Sequence, residues 1–392
     1  MHYVIHIGPP KTATTAVQGW FKVNRTNMAE QGIFWTETGT RDWGNAQDLV
    51  SAIPDMDGPL VTKRNAGILA RYRSEVKGFG GDTVILSSEY FFDRLTGALP
   101  RLSSIIHEQV DNKVRALREF CDSVGATRRT IVIVLRNAAD RWVSKIGQSL
   151  KAIKAPRQKM EQARKNIYDA IEPYDILCDS FEAAGFDICL VLYADPASHV
   201  PLMVRIMNAT GLGDRIQDNW NMPERLNTSM GIIGCYAALI VNISIHQIHQ
   251  PKNPQAKTAR KMFSEALQEI YYRSKIEDRP FNSVGPELAR KITTAEDTIV
   301  YANMTGLLNA EERALLKRSK WLTEPISPLV PEELDSWQRT KVQDLLLDLL
   351  RHIEESIDEK SRRRDCQPHR NVWCPIPHLK PLPSRAEIAY TG

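Results

Sequence analysis

Short runs of continuous apolar residues recur through the first half of the chain, and helical patterns separate them. The runs read YVIHI, DTVILS, TIVIVL and DICLVLY, at residues 3–7, 82–87, 130–135 and 187–193. The helical patterns cover residues 14–24, 110–124 and 174–184. Apolar strands that alternate with helices are typical of a parallel sheet whose two faces are both covered. The pattern therefore predicts an α/β protein with three α/β/α layers and a central parallel sheet.

The pattern changes beyond about residue 225, where only helical periodicity remains. The predicted helices cover residues 229–249, 254–275, 286–303 and 331–357. The last 30 or so residues are rich in proline and basic residues, which predicts an extended tail. We therefore predict an α/β core at residues 1–225, a helical portion packed on it at 226–360, and a tail at 361–392. Residues 36–63 are rich in loop-forming residues and predict a loop with short helices.

Composition excludes few functions. Hydrophobic residues make up 42% of the chain and charged residues 25%, as in ordinary globular proteins. A net charge of +4 is too small to predict a nucleic-acid partner, although it suits an anionic ligand. No window reaches the roughly 18 apolar residues of a membrane span, and no signal peptide precedes the first strand. Six dispersed cysteines predict mostly reduced thiols, so we expect a cytoplasmic protein.

The stretch IHIGPPKTATTAVQ, residues 5–18, predicts an anion site. A strand that turns directly into a helix gathers backbone N–H groups at the helix N-terminus, where the helix dipole also favours an anion. Lys11 adds a positive charge. The hydroxyls of Thr12, Thr14 and Thr15 add hydrogen-bond donors, and Thr12 or Thr14 is expected to cap the helix. Chemically, this is a cradle for phosphate or sulfate.

The loop differs from the pattern G-x-x-x-x-G-K-[ST] of nucleoside triphosphatases. Only two residues separate Gly8 from Lys11, and no glycine immediately precedes the lysine. Because this loop is too short to wrap a β-phosphate in the same manner, an ordinary nucleoside triphosphatase is disfavoured.

A second cluster, VIVLRNAADRWVSKIGQSL, covers residues 132–150. Arg136 follows a predicted strand, and a helix that starts at Asn137 or Asp140 carries Ser144. Ligands of open α/β sheets bind outside the carboxyl ends of the strands, so Lys11 and Arg136 are expected at the same edge. The planar guanidinium suits phosphate. A structural ion pair is the alternative role for Arg136.

Together the two clusters resemble the cofactor motifs of sulfotransferases that use 3′-phosphoadenosine 5′-phosphosulfate (PAPS). The resemblance covers about half of the chain and extends to bacterial-type members with a helical C-terminal region. It implies a P-loop-like loop in which Lys11, Thr12, Ala13, Thr14 and Thr15 bind the 5′-phosphosulfate. It also implies that Arg136 and Ser144 bind the 3′-phosphate. Two departures are Ala13, where the family usually has glycine, and Ala138, where it often has proline.

The resemblance implies an enzyme that moves a sulfuryl group in line from PAPS to a hydroxyl or amine, with no metal. The acceptor is a small molecule, glycan or lipid. Lys11 is expected to neutralise the charge on the leaving group. Glu89, just past the predicted strand DTVILS, is the expected general base, although a structural carboxylate is an equal alternative. His107 is the second candidate base, because other members of the superfamily use histidine.

Two other functions remain open at this point: a P-loop nucleotide kinase or related phosphotransferase, and a non-catalytic nucleotide-binding module. The order Cys366, His369, Cys374 and His378 also resembles a zinc knuckle. Prolines interrupt this segment and its spacing matches no common zinc module, so we predict no metal site. The sequence identifies neither the acceptor nor the oligomeric state.

Overall fold

A computed structural model describes most of the chain. The described residues are 1–9, 11–41, 44–54, 62–97, 105–152, 171–193, 200–217, 219–221, 230–248, 254–277, 286–296, 304–308, 312 and 334–364. They separate into two compact units, one drawn from Met1–Trp142, Lys165–Thr228 and Pro286–Ile326, the other from Val143–Arg164, Ser229–Gly285 and Ser327–Gly392. The units therefore interleave along the sequence, whereas the sequence prediction divides the chain into consecutive portions.

Five parallel strands form the sheet of the first unit. They are β1 (His2–Ile7), β2 (Ile33–Trp35), β3 (Thr83–Ser88), β4 (Arg128–Leu135) and β5 (Asp187–Leu192). Their order across the sheet is β2-β3-β1-β4-β5, and every neighbouring pair is parallel. The predicted α/β class and parallel sheet are confirmed. Strand β2 is not among the predicted strands, because three residues are too few to show a strand pattern.

Helices connect the strands and cover the sheet. In the first unit they are α1 (Thr14–Val23), α2 (Arg25–Glu30), α3 (Gln47–Ala52), α4 (Lys63–Gly78), α5 (Glu89–Thr96) and α6 (Ile106–Ser123). After β4 come α7 (Ala138–Lys151), which continues into the second unit, α8 (Tyr174–Ala183) and α9 (Leu202–Ala209). Helix α3 is one of the short helices predicted within residues 36–63.

Side chains alternate between the two faces of β1. Tyr3, Ile5 and Ile7 belong to one buried cluster, which also contains apolar residues of α3, α4, α5, α6 and α8. Val4 belongs to a second cluster, with residues of α1, α2 and α9. Because successive residues of a strand point to opposite faces, helices cover both sides of the sheet. This arrangement is consistent with the predicted three layers.

The strand order reverses direction at β1 and β4, which makes their carboxyl ends a topological switch point. After β1 the chain runs to β2 and β3 on one side of it, then crosses to β4 and β5 on the other side. Ligands of open α/β sheets bind where successive connections diverge in this way. The loops that follow β1 and β4 therefore border the expected binding position.

The second unit is helical. Helices α10 (Ile232–Ile248) and α11 (Pro254–Arg273) pack against a C-terminal helix, Ser336–Arg364. The hydroxyl of Tyr271 accepts a hydrogen bond from the Gly231 N–H at 2.8 Å. Among the described residues, no helix is long and apolar enough to cross a membrane.

The remaining helix, α12 (Pro286–Glu296), belongs to the first unit, so the C-terminal helix is α13. Residues 286–296 confirm the first part of the predicted helix 286–303, and residues 297–303 fall outside the described residues. Helix α13 continues to Arg364, four residues into the predicted tail. The rest of that tail also lies outside the described residues.

Candidate anion-binding site

The loop after β1 contains two residues with left-handed backbone conformations. Lys11 has φ 78° and Ala13 has φ 60°, and Ala13 is the residue that precedes α1. Among the described residues no side chain caps this helix, so the predicted cap by Thr12 or Thr14 is wrong. The Thr12 hydroxyl instead donates to the Pro9 carbonyl at 2.8 Å. The first N–H groups of α1, which helix geometry leaves without intrahelical partners, therefore have no side-chain cap competing with an anion.

Polar side chains surround Gly8 in this loop. A Cβ atom placed on Gly8 would lie 2.7 Å from Thr14 Oγ1, 3.2 Å from Thr12 Oγ1 and 3.4 Å from His6 Nε2. A side chain at position 8 would therefore strike the Thr14 hydroxyl. Thr14 Oγ1 and His6 Nε2 are buried, and neither has a hydrogen-bond partner within the described part of the chain. Thr15, the second residue of α1, is half-buried.

Arg136 follows β4 and contacts the loop directly. Its Nη1 donates to the backbone carbonyl of Lys11 at 2.7 Å. Its guanidinium lies over the Tyr193 ring, 4.5 Å from the ring centre. Burial lowers the pKa of Arg136, and its Nε has no hydrogen-bond partner in the described region. Among the described residues, the contacts of the Arg136 guanidinium are with a carbonyl and an aromatic ring and not with a carboxylate.

The N-terminus of α7 is capped by protein groups. Asn137 Oδ1 accepts from the N–H groups of Ala139 at 2.9 Å and Asp140 at 3.3 Å, which confirms Asn137 as the start of the helix. The Ala138 N–H donates to Glu296 Oε2 at 2.6 Å. Because these amides are occupied, an anion beside Arg136 depends on side chains. Ser144 is half-buried on α7, in the part of that helix that belongs to the second unit.

Glu296 belongs to a buried polar network that the sequence pattern does not predict. Its carboxylate lies 3.8 Å from Nη1 of Arg141, which donates to the Tyr174 hydroxyl at 2.7 Å. Arg141 also pairs with Glu172 at 3.5 Å. Burial raises the pKa of Glu296 to about 7. Nothing in the stretch ITTAED around Glu296 signals burial, because it contains only one large apolar residue.

The two candidate bases lie in different environments. Glu89 is the first residue of α5, directly after Ser88, which pairs with Ile7 in the sheet. Glu89 therefore stands at the carboxyl end of the strand next to β1, at the same sheet edge as Lys11, and is half-buried. His107 is exposed on α6. The structure thus brings Lys11 and Arg136 into contact and leaves Glu89 at the neighbouring strand end.

No group of three or more potential metal ligands occurs among the described residues. The possible zinc ligands Cys366, His369, Cys374 and His378 lie outside them. Within the described part of the chain, Cys121, Cys178 and Cys189 are free thiols.

Trp35 and Trp220 are core residues. Trp35 packs against Phe21 with ring centres 4.9 Å apart, and Trp220 packs against Trp20 at 5.1 Å. Both are buried.

Comparisons with protein-family models, with curated proteins and with solved structures gave no match to this chain.

Proposed function

We propose that the protein is a sulfotransferase that uses PAPS as its sulfuryl donor. The observation that carries the proposal is the contact between Arg136 Nη1 and the Lys11 carbonyl, beyond the carboxyl ends of the neighbouring strands β1 and β4. This contact joins the two halves of the motif pair that resembles the PAPS-binding motifs. The resemblance lies in two separate stretches of sequence, and the contact brings these two stretches together in the fold.

The residues that follow β1 and β4 suit a donor with two separate anionic groups. The uncapped α1, the Lys11 charge and the unpartnered Thr14 hydroxyl suit the phosphosulfate. Arg136 suits the 3′-phosphate, since its buried Nε and planar guanidinium offer donors in a fixed geometry. The resemblance adds Thr12, Ala13 and Thr15 to the first group and Ser144 to the second.

The proposed roles follow from the charges that sulfuryl transfer creates. The donor supplies a sulfuryl group whose bond to the bridging oxygen breaks as the acceptor attacks in line. Lys11 neutralises the negative charge left on that oxygen, and the amides of α1 stabilise the same charge. Glu89 accepts the proton that the acceptor hydroxyl or amine loses. These residues need no metal ion for these roles.

Calorimetry with adenosine 3′,5′-bisphosphate, the desulfated product, tests the proposal at the level of binding. We expect binding that does not require Mg²⁺. Binding of ATP with Mg²⁺, without binding of the bisphosphate, would instead support the phosphotransferase alternative and contradict the sulfotransferase.

Transfer from labelled PAPS to a panel of small-molecule, glycan and lipid acceptors, read by product mass, tests the activity. Lys11→Ala is expected to lower kcat by about a hundredfold or more, the scale of losing one transition-state charge partner. The matched control is Lys22→Ala, which removes an exposed lysine at the other end of α1. Near-normal turnover of Lys11→Ala would exclude the leaving-group role. Bisphosphate binding without transfer to any acceptor would favour the binding module.

A further inference from the structure

His6 is a buried polar residue of β1 that the proposed roles do not use. It lies on the same face as Val4, the face that α1 covers, and it is fully buried. Its Nδ1 lies 2.8 Å from the hydroxyl oxygen of Ser87, the residue that pairs with it in the neighbouring strand β3. One ring nitrogen is thus held by the sheet itself.

The other ring nitrogen faces the loop after β1. His6 Nε2 and Thr14 Oγ1 approach the same point beside Gly8, and both are buried without a hydrogen-bond partner within the described residues. The Thr12 hydroxyl, third at this point, already donates to the Pro9 carbonyl. The Thr14 hydroxyl is therefore the uncommitted one of the two, and it belongs to the first residue of α1.

We propose that His6 is a positioning residue that orients the Thr14 hydroxyl toward the bound anion. In this arrangement the Ser87 hydroxyl donates to Nδ1, and Nε2–H donates to Thr14 Oγ1. The Thr14 hydroxyl hydrogen is then directed to an anion oxygen. The inference rests on the proposed function only in requiring an anion in the loop after β1.

The chemistry of the imidazole supports this relay. A neutral imidazole has one N–H donor and one acceptor nitrogen, so a bond at Nδ1 determines what Nε2 can do. Burial lowers the pKa of His6 to about 4, so the ring is neutral near pH 7. Unpartnered buried polar groups are unfavourable. When the Thr14 hydroxyl donates to a bound anion and its oxygen accepts from Nε2–H, both Nε2 and Thr14 Oγ1 gain a partner, which favours the bound state.

Two substitutions at position 6 separate the relay from a purely structural role. His6→Gln places an amide near the position of Nε2, where it can still donate to Thr14. His6→Asn places an amide near the position of Nδ1, which keeps the Ser87 contact and loses the Thr14 contact. We expect His6→Asn to weaken the binding of adenosine 3′,5′-bisphosphate about tenfold, the effect of one lost oriented hydrogen bond. His6→Gln is expected to retain most of the affinity.

A double-mutant cycle with Thr14→Val measures the coupling. Once the hydroxyl is absent, His6→Asn is expected to have no further effect on affinity. Equal effects of His6→Asn in the presence and absence of the Thr14 hydroxyl would overturn the relay, as would equal affinity losses in His6→Asn and His6→Gln. Thermal unfolding of each variant shows whether it is folded, and the comparison is made between folded variants.

Nitrogen NMR of the His6 ring is measured on the wild-type protein, so this readout does not require any substituted protein to fold. Upon titration with the bisphosphate, or separately with inorganic sulfate, Nε2 is expected to be the protonated nitrogen and to shift. A protonated Nδ1, or no response to either anion, would overturn the proposal. A response to sulfate in a protein that does not bind the bisphosphate would support the relay and contradict the sulfotransferase.

Discussion

The guanidinium of Arg136 donates from Nη1 to the backbone carbonyl of Lys11 at 2.7 Å, across 125 positions of sequence. The two residues follow β1 and β4, which are neighbours in the sheet. Arg136 therefore has two tasks in the proposed site. It presents charge to the 3′-phosphate, and it holds the backbone of the loop that presents Lys11.

Removal of Arg136 tests both tasks together. Arg136→Ala is expected to weaken binding of adenosine 3′,5′-bisphosphate by about tenfold to a hundredfold, the scale of a hydrogen bond to a charged group. Arg136→Lys keeps the charge and loses the planar guanidinium, so its affinity is expected to lie between those of the wild type and Arg136→Ala. Calorimetry measures all three. Arg128→Ala, at the exposed start of β4, is the control, and wild-type affinity in Arg136→Ala would contradict the role.

Glu89 can be tested by an isosteric change. If Glu89 is the general base, Glu89→Gln removes the proton acceptor and is expected to lower kcat by about a hundredfold or more, with unchanged bisphosphate affinity. Steady-state kinetics across pH provides the measurement, and Glu119→Gln, at an exposed position of α6, is the control. Unchanged turnover across pH in Glu89→Gln would assign the base to another residue.

Ala13 occupies a conformation that favours glycine. With φ 60° and ψ 20°, its backbone is in the left-handed region. This conformation costs a residue with a Cβ atom about 1 kcal/mol or more. Ala13→Gly is therefore expected to raise the free energy of unfolding by up to about 1 kcal/mol. Ala16→Gly, three residues later inside α1, is expected to lower it by about the same amount. Urea denaturation compares the two variants; destabilisation by Ala13→Gly would show that the loop has another conformation.

Glu296 is expected to make the stability of the protein depend on pH. Its pKa is raised from 4.5 to about 7, so between these values the folded state binds a proton that the unfolded state releases. The free energy of unfolding therefore falls as pH rises through this window, by up to about 1.4 kcal/mol per pH unit. Above pH 7 the contribution becomes constant.

Glu296→Gln isolates this contribution. Glutamine keeps an acceptor for the Ala138 N–H and cannot ionise, so the variant is expected to gain stability relative to the wild type as pH rises from 4.5 to about 7. Urea denaturation at a series of pH values measures the difference, and groups common to both proteins cancel. Glu108→Gln, at an exposed position of α6, is the control. A difference that does not change with pH would show that Glu296 is ionised throughout.

Local pattern was sufficient for most of the first unit. The strands β1, β3, β4 and β5 occur within two residues of their predicted bounds, because buried parallel strands are continuous apolar runs. It failed for β2, which is too short, and for the cap of α1, because the Thr12 hydroxyl bonds to a carbonyl of its own loop instead. The position of a threonine along the chain does not determine which nearby backbone group forms a hydrogen bond with its hydroxyl.

The sequence by itself determined the α/β class, the strand-to-helix turns, and the placement of Lys11 and Arg136 directly after strands, since these follow from short-range periodicity and residue type. Only the tertiary structure decided that β4 lies beside β1, that Ser87 holds His6, and that Glu296 occupies the start of α7. His6 and Ser87 are separated by 81 positions, and Ala138 and Glu296 by 158. Their contacts depend on strand order and long-range packing, which residue patterns within one element do not specify.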